Sequence, residues 1–378
     1  MSEYSRGNIH PKTYLTIVLV ACALATLWSI LQASTATAAG RTAYAGTNAS
    51  GLPATADGST CEAAWRVVPS PNQGSGSNYL TAISAVSPSD IWAVGYYTST
   101  GQYRTLTEHW NGTQWSIIPS PDPGYNNYLQ GVAAIAHNDV WAVGSYDYPS
   151  SGGRHVLTMH WNGTQWSVVA NPNPGGNYTN FLNAVDAVSS GDVWAVGFWR
   201  RYSPQGLVMR WNGTAWVQSA NPSSGSVESM SAVTALSSND VWAVGYSSTG
   251  NSLIWHWDGT QWSAVTSPNV GILHGLDASA PDDVWAIGGN DILNWDGTQW
   301  SVVPAPSVGT LNGITALSTN DAWAVGNNGT LHWDGAQWSV VPGPGVGVLK
   351  AVRALAPQDV WAVGTYPDGN VTRTLIAK

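Results

Sequence analysis

One hexapeptide, present seven times, constrains this chain more than any other feature. The pattern Asp-Val-Trp-Ala-Val-Gly, with small aliphatic exchanges, begins at Asp90, Asp139, Asp192, Asp240, Asp283, Asp321 and Asp359. Successive copies lie 49, 53, 48, 43, 38 and 38 residues apart. A second pattern, Trp-(Asn/Asp)-Gly-x-x-Trp, follows six of them, from Trp110, Trp161, Trp211, Trp257, Trp295 and Trp333. A unit of this length buries its apolar faces only by stacking on its neighbours. With four short strands per unit, it is the blade of a β-propeller.

The shortest repeat shows the strands most plainly. Leu311–Ser318, Asp321–Gly326 and Thr330–Trp333 read as the first three, and residues 336–342 as the fourth. Asn-Gly or Asp-Gly before the fourth strand predicts a two-residue type I′ hairpin, which would set Trp110 opposite Thr113 and Glu108 opposite Trp115. Pro119, Pro304 and Pro342 end the ladder, because proline has no N–H to donate. Flat indole rings are expected to fill the space between blades, with the Ala and Gly of the hexapeptide nearer the axis.

The last repeat stops at Lys378, where its third-strand Trp would come. The missing fourth strand has its match at the other end, where Trp-Arg-Val-Val-Pro-Ser-Pro from Trp65 parallels Trp-Ser-Val-Val-Pro-Gly-Pro from Trp338. The expectation is an all-β fold over residues 61–378: a seven-bladed propeller of four-stranded antiparallel blades. The N-terminal strand would complete the last blade and leave no sheet edge free. These two motifs resemble the Trp-rich repeats of tectonin-type and kelch-like propellers across residues 61–378. The Gly-Gly doublet of kelch blades occurs at the corresponding place only as Gly288-Gly289. Tectonin-type propellers are often sugar-binding, so the resemblance implies carbohydrate recognition.

Ahead of the repeats, residues 14–31 carry no charge, Arg6 and Lys12 precede them, and Ala36-Thr37-Ala38 offers a small-residue cleavage site. Residues 1–38 therefore read as a signal peptide or a signal anchor. Either places the repeats outside the cytoplasm, secreted or held at the cell surface, with membrane contact only through this segment if it is uncleaved. A lipobox-like Leu-Val-Ala-Cys ends at Cys22, but the chain stays apolar for nine more residues. Residues 39–60, rich in Ala, Thr, Gly and Ser, read as a flexible linker. The exported part keeps one cysteine, Cys61, so it can build neither an internal disulfide nor a cysteine-based zinc site. A net charge of −9, with Arg200-Arg201 as the one adjacent basic pair, argues against nucleic acid as a partner.

No phosphate loop, Gly-x-Ser-x-Gly elbow or His-Glu-x-x-His motif is present, and no cofactor or metal is implied. The recurrent Asp sits between a Ser/Asn-rich turn and a strand, where it is expected to hydrogen-bond the turn's own backbone rather than hold calcium. His109, His160, His256 and His332 share one repeat position with Arg210, Asn294 and Lys378, a mixture suited to packing and not to a ligand set. The innermost strands contribute one residue per blade to a ring of Ser84, Ala133, Asp186, Thr234, Asp277, Thr315 and Arg353. Asp186, Asp277 and Arg353 are channel-lining candidates, and the two carboxylates support an alternative reading as a hydrolase or lyase.

Aromatic residues point elsewhere. Loops joining strands two to three, and one blade to the next, share one face of a propeller. Tyr96, Tyr97, Tyr103, Tyr125, Tyr128, Tyr146, Tyr148, Tyr178, Trp199 and Tyr202 all fall in or beside them. Exposed rings among Asn, Ser and Gly suit a glycan or protein ligand. The reading is a non-enzymatic binding propeller with a Tyr-rich loop face. A purely structural surface module is the third alternative, with the rings packing their own loops.

Overall fold

A computed structural model describes residues 65–147, 153–222 and 228–378. The signal segment, the linker, Cys61 and Tyr148 lie outside the described residues. Seven antiparallel sheets follow one another along the chain, six with four strands each and the last with three. Blade 1 is representative: an inner strand Asn78–Ser87, a second strand Asp90–Ser99, a third Gln102–Trp110 and a short outer strand Trp115–Ile117. In blade 6, the first three strands coincide with those read from the sequence, and the outer strand is Trp338–Val341.

Seven apolar clusters hold the blades together, each shared by two successive blades, and one of them joins blade 7 to blade 1. In six blades the second-strand Trp enters the angle between the two outer Trp residues of the next, and in blade 6 Trp323 meets the single outer Trp65 of blade 7. Trp92 lies 5.0 Å from Trp161 and 5.4 Å from Trp166, ring to ring, and Trp361 meets Trp110 at 5.0 Å and Trp115 at 5.9 Å. Each such pair is worth about 0.5–1.5 kcal/mol beyond its buried area.

Blade 7 has three strands of its own, Val348–Ala356, Asp359–Asp368 and Val371–Ala377. The edge of the third is met by residues 66–68. Arg66 N donates to Lys378 O at 2.8 Å, Val68 N to Ile376 O at 2.8 Å, and Lys378 N to Arg66 O at 2.9 Å. The contact is an isolated antiparallel bridge, Val67 to Ala377, and not a regular strand. Trp65 lies edge-on to Trp323 at 5.9 Å, as outer-strand Trp rings do at other seams. Further along, Ser70 and Thr374 share a hydroxyl–hydroxyl bond of 2.7 Å, and Thr374 N donates to Asn72 Oδ1.

Two local expectations are corrected. The hairpin before the outer strand is a four-residue loop, with Trp110 directly opposite Trp115 and Glu108 opposite Ile117. Asn111 Oδ1 accepts from Thr113 N, Thr113 Oγ1 and Gln114 N, at 3.0, 2.7 and 3.0 Å. Only Gly112 takes a positive φ, +92°, so an Asx turn replaces the type I′ pair.

The recurrent Asp does not turn back on its own loop. It reaches the third strand of its blade, where Asp90 Oδ1 accepts from His109 Nε2 at 2.8 Å. Asp139 pairs likewise with His160, Asp192 with Arg210, Asp240 with His256, Asp283 with Asn294, Asp321 with His332 and Asp359 with Lys378. The mixed residues at that position are thus seven answers to one need, a donor for a carboxylate.

The hexapeptide glycine also has a local cause. A Cβ on Gly95 would stand 1.9 Å from the Tyr79 carbonyl oxygen, where the inner strand bulges against it.

Candidate functional site

Every described inner strand except that of blade 5 carries a bulge near its start, between Leu80 and Ala82 in blade 1 and at the corresponding places in blades 2, 3, 4, 6 and 7. A bulge leaves one residue outside the ladder and re-aims its side chain. Those residues are Thr81, Gln130, Asn183, Ser231, Asn312 and Lys350, and His274 sits just ahead of the blade 5 inner strand. Together they line two adjoining cavities of about 400 and 360 Å³ at the mouth of the central channel. Sequence reasoning missed this ring, because a bulge breaks the alternation by which inward positions are counted.

The ring divides by hydrogen bonding. Thr81 Oγ1 donates to Leu129 O at 3.0 Å, Asn183 Nδ2 to Met230 O at 2.7 Å, and Asn312 Nδ2 to Leu349 O at 2.7 Å. Each ties one blade to the next. The side chains of Gln130, Ser231, His274 and Lys350 have no such bond among the described residues. Burial holds the His274 imidazole below the ordinary histidine range, and the Lys350 ammonium adds to that.

The candidate aromatic residues separate into three groups. Tyr96, Tyr103 and Tyr128 form a half-buried arc beside the mouth, with Tyr79. Tyr96 stacks on Tyr79 at 4.9 Å, meets Tyr103 edge-on at 5.6 Å and Tyr128 at 5.1 Å. The arc continues through Arg154, 4.8 Å over Tyr128 and 4.7 Å over Phe181, to Phe198 stacked on Phe181 at 4.8 Å. The Tyr96 phenol is raised above its ordinary range by burial, then by the neighbouring tyrosines; that of Tyr128 is raised by burial against the lowering pull of Arg154.

Tyr97, Tyr146 and Trp199 belong to a second group and pack against the apolar clusters between blades. Exposed rings make the third: Tyr125 at 55%, Tyr178 at 44% and Tyr202 at 84% of full exposure. Arg201 lies over Tyr178 at 5.4 Å and over Tyr202 at 5.1 Å, forming a basic aromatic tip on blade 3. The arc and the tip are thus two separate groups of rings, whereas a third of the described candidates, Tyr97, Tyr146 and Trp199, are committed to packing.

Deeper in the channel, the ring predicted from the inner strands is present, each member opposite the hexapeptide Trp of its blade. It works as a set of ties between blades. Asp186 accepts from Ala187 N at 2.9 Å and from Ala235 N of the next blade at 2.8 Å. Asp277 accepts from Ala278 N at 3.0 Å and Ala316 N at 2.9 Å, and Ser84 Oγ from Ala134 N at 3.0 Å. Arg353 lies 3.9 Å from Asp277. Burial pushes the Asp186 carboxyl up to about 6, against the lowering effect of the two amide bonds and of Arg353. Among the described residues, no group of three or more His, Cys, Asp or Glu is placed to hold a metal ion.

No protein-family model matches the chain, and no curated protein matches it. Solved structures do. One described as YCF48 bound to D1 peptide is similar at a TM-score of 0.57 and 16% identity, over 83% of this chain and 94% of that one. YCF48 from Cyanidioschyzon merolae is similar at 0.55 and 16%, over 83% and 98%. The WD40 β-propeller domain of Doa1 is similar at 0.56 and 12%, over 84% and 96%. At these identities the likeness is one of fold.

Proposed function

We propose that this chain is an extracytoplasmic binding propeller that captures a segment of a protein partner on its Tyr-rich face. The observation that carries the reading is the meeting of two surfaces. An arc of stacked rings from Tyr79 to Phe198 borders a channel mouth with polar groups that the fold leaves unbonded. Rings fixed by their neighbours give contact area at small entropic cost, and free amide, hydroxyl and imidazole groups give direction. Similarity to a propeller solved with a peptide favours a peptide-like ligand over a sugar. The extracytoplasmic placement rests on residues 1–38 alone.

The deep carboxylates favour this reading over a hydrolase or lyase, because Asp186 and Asp277 each accept two backbone amides and are engaged in holding blades together. The test is parallel screening of the purified protein on peptide and glycan arrays, with Tyr96→Ser and Tyr128→Ser as controls. Retention of peptides that both substitutions weaken is expected. Retention of glycans alone would replace the protein partner with a carbohydrate, and retention of neither would leave a structural module.

A further inference from the structure

We infer that the channel mouth recognises a carboxylate on its peptide ligand through Lys350, with His274 and Gln130 beside it. This rests on the protein being a peptide-binding propeller and narrows its ligand to one class.

Lys350 is exposed on the inner strand of blade 7, turned out of the ladder by the bulge between Leu349 and Ala351. It shares a cavity of about 360 Å³ with Tyr79, Tyr96, Gln130, His274 and Asn312. No Asp or Glu lines this cavity or the adjoining one, and Lys350 has no ion pair among the described residues. Six other described cations have a carboxylate partner, among them Arg210 with Asp192, Lys378 with Asp359 and Arg154 with Asp147. In a chain of net charge −9, an ammonium beside a cavity that no carboxylate lines is suited to an anionic ligand.

The surroundings say which anion. Three of the seven ring side chains are occupied by the next blade's carbonyls, so the free groups, Gln130, Ser231, His274 and Lys350, are too few and too mixed to enclose a phosphate. Beside these polar groups the lining carries apolar and aromatic side chains, Phe198, Tyr246 and Ile272 in the adjoining cavity and Tyr79, Leu80 and Tyr96 in this one. A single planar carboxylate beside an apolar or aromatic side chain matches that pairing. Two sources carry this chemistry in a peptide, its C-terminus and an Asp or Glu side chain.

The experiment is a peptide array probed with the purified protein. Each sequence is printed as the free acid, as the C-terminal amide, and with Asp and Glu exchanged for Asn and Gln. Affinities of retained peptides are then measured for the wild type, Lys350→Met and Lys350→Arg. Loss of one charge-assisted contact predicts a roughly ten- to hundredfold weakening with Lys350→Met, recovery in large part with Lys350→Arg, and an equal penalty when the responsible carboxylate is neutralised. Lys350 is exposed, so all three proteins should melt together. Peptides that bind equally well in neutral form, or equally well to Lys350→Met, would overturn the carboxylate assignment while leaving the binding propeller standing. Retention of no peptide would overturn both.

Discussion

The imidazole of His109 lies against the indole of Trp92 with ring centroids 4.5 Å apart, while its Nε2 meets the Asp90 carboxylate at 2.8 Å. The same column of carboxylate, donor and indole recurs as Asp139–His160–Trp141, Asp240–His256–Trp242 and Asp321–His332–Trp323. In blade 3 the Arg210 guanidinium takes the imidazole's place, 4.7 Å over Trp194, and in blade 7 the Lys378 ammonium lies 4.8 Å over Trp361. The column links the second and third strands of a blade, and its Trp is the ring that enters the next blade.

Removing one carboxylate should therefore loosen two blades. Asp139→Ala leaves the His160 donor without its partner and is expected to cost about 1–3 kcal/mol. Thermal melting would show this as a fall of several degrees. His160→Phe keeps the stacked ring but strands Asp139, and should cost as much.

Glu108 gives the sharpest pH prediction. It is fully buried, neither oxygen has a hydrogen-bond partner among the described residues, and blades 2 and 3 place Met159 and Met209 at the same position. Burial pushes its carboxyl up to about 8, from an ordinary value of 4.5. Between those values the folded chain keeps a proton that the unfolded chain has released. Its contribution is thus whole below about pH 4.5 and declines as pH rises towards 8, by at most about 1.4 kcal/mol per pH unit. Denaturant titrations of wild type and Glu108→Met across pH 5–8 should diverge steadily. The variant should be the more stable at pH 8 by about 1–3 kcal/mol. Parallel curves would show that Glu108 has a partner.

The outer hairpins should depend on their first residue. Asn162 repeats the arrangement of Asn111, accepting from Thr164 N, Thr164 Oγ1 and Gln165 N. Asn162→Ala removes all three bonds at an exposed site and is expected to cost about 1 kcal/mol, whereas Asn162→Asp, the residue found at Asp258, should be neutral. Chemical denaturation would distinguish the two.

On the binding face, substitution should separate the three classes of ring. Tyr202→Ser, at an exposed tip, should leave the melting temperature unchanged. Tyr146→Ser, packed between blades 1 and 2, should lower it by several degrees. Tyr96→Ser should weaken ligand retention with a smaller effect on stability.

These contrasts show what was legible in the sequence. Periodicity reported every blade, because seven near-identical units must satisfy the same packing, and the first three strands of the shortest repeat were readable to the residue, while the fourth, read as 336–342, is the shorter Trp338–Val341. The aspartate's partner was not, because it lies 11 to 21 residues away along the chain, on a strand that only the folded sheet brings alongside. Nor was the mouth ring. Its members look like ordinary polar residues at strand starts, and in six of the seven blades only the bulge turns them inward. Tyr97 and Tyr146 differ from Tyr96 by which side of a sheet they face, a distinction that proximity to a loop does not carry.

The joint between residues 66–68 and the edge of blade 7 has a mechanical consequence. Any tension transmitted from the chain ahead of Trp65 reaches first the Trp65 indole, bonded to Thr330 Oγ1, and then the three backbone bonds at Arg66, Val68 and Lys378. If that leading stretch tethers the protein to a surface, the joint is the first element to bear load. A strong pull would peel it away, baring the outermost strand of the last sheet while the other six stay intact.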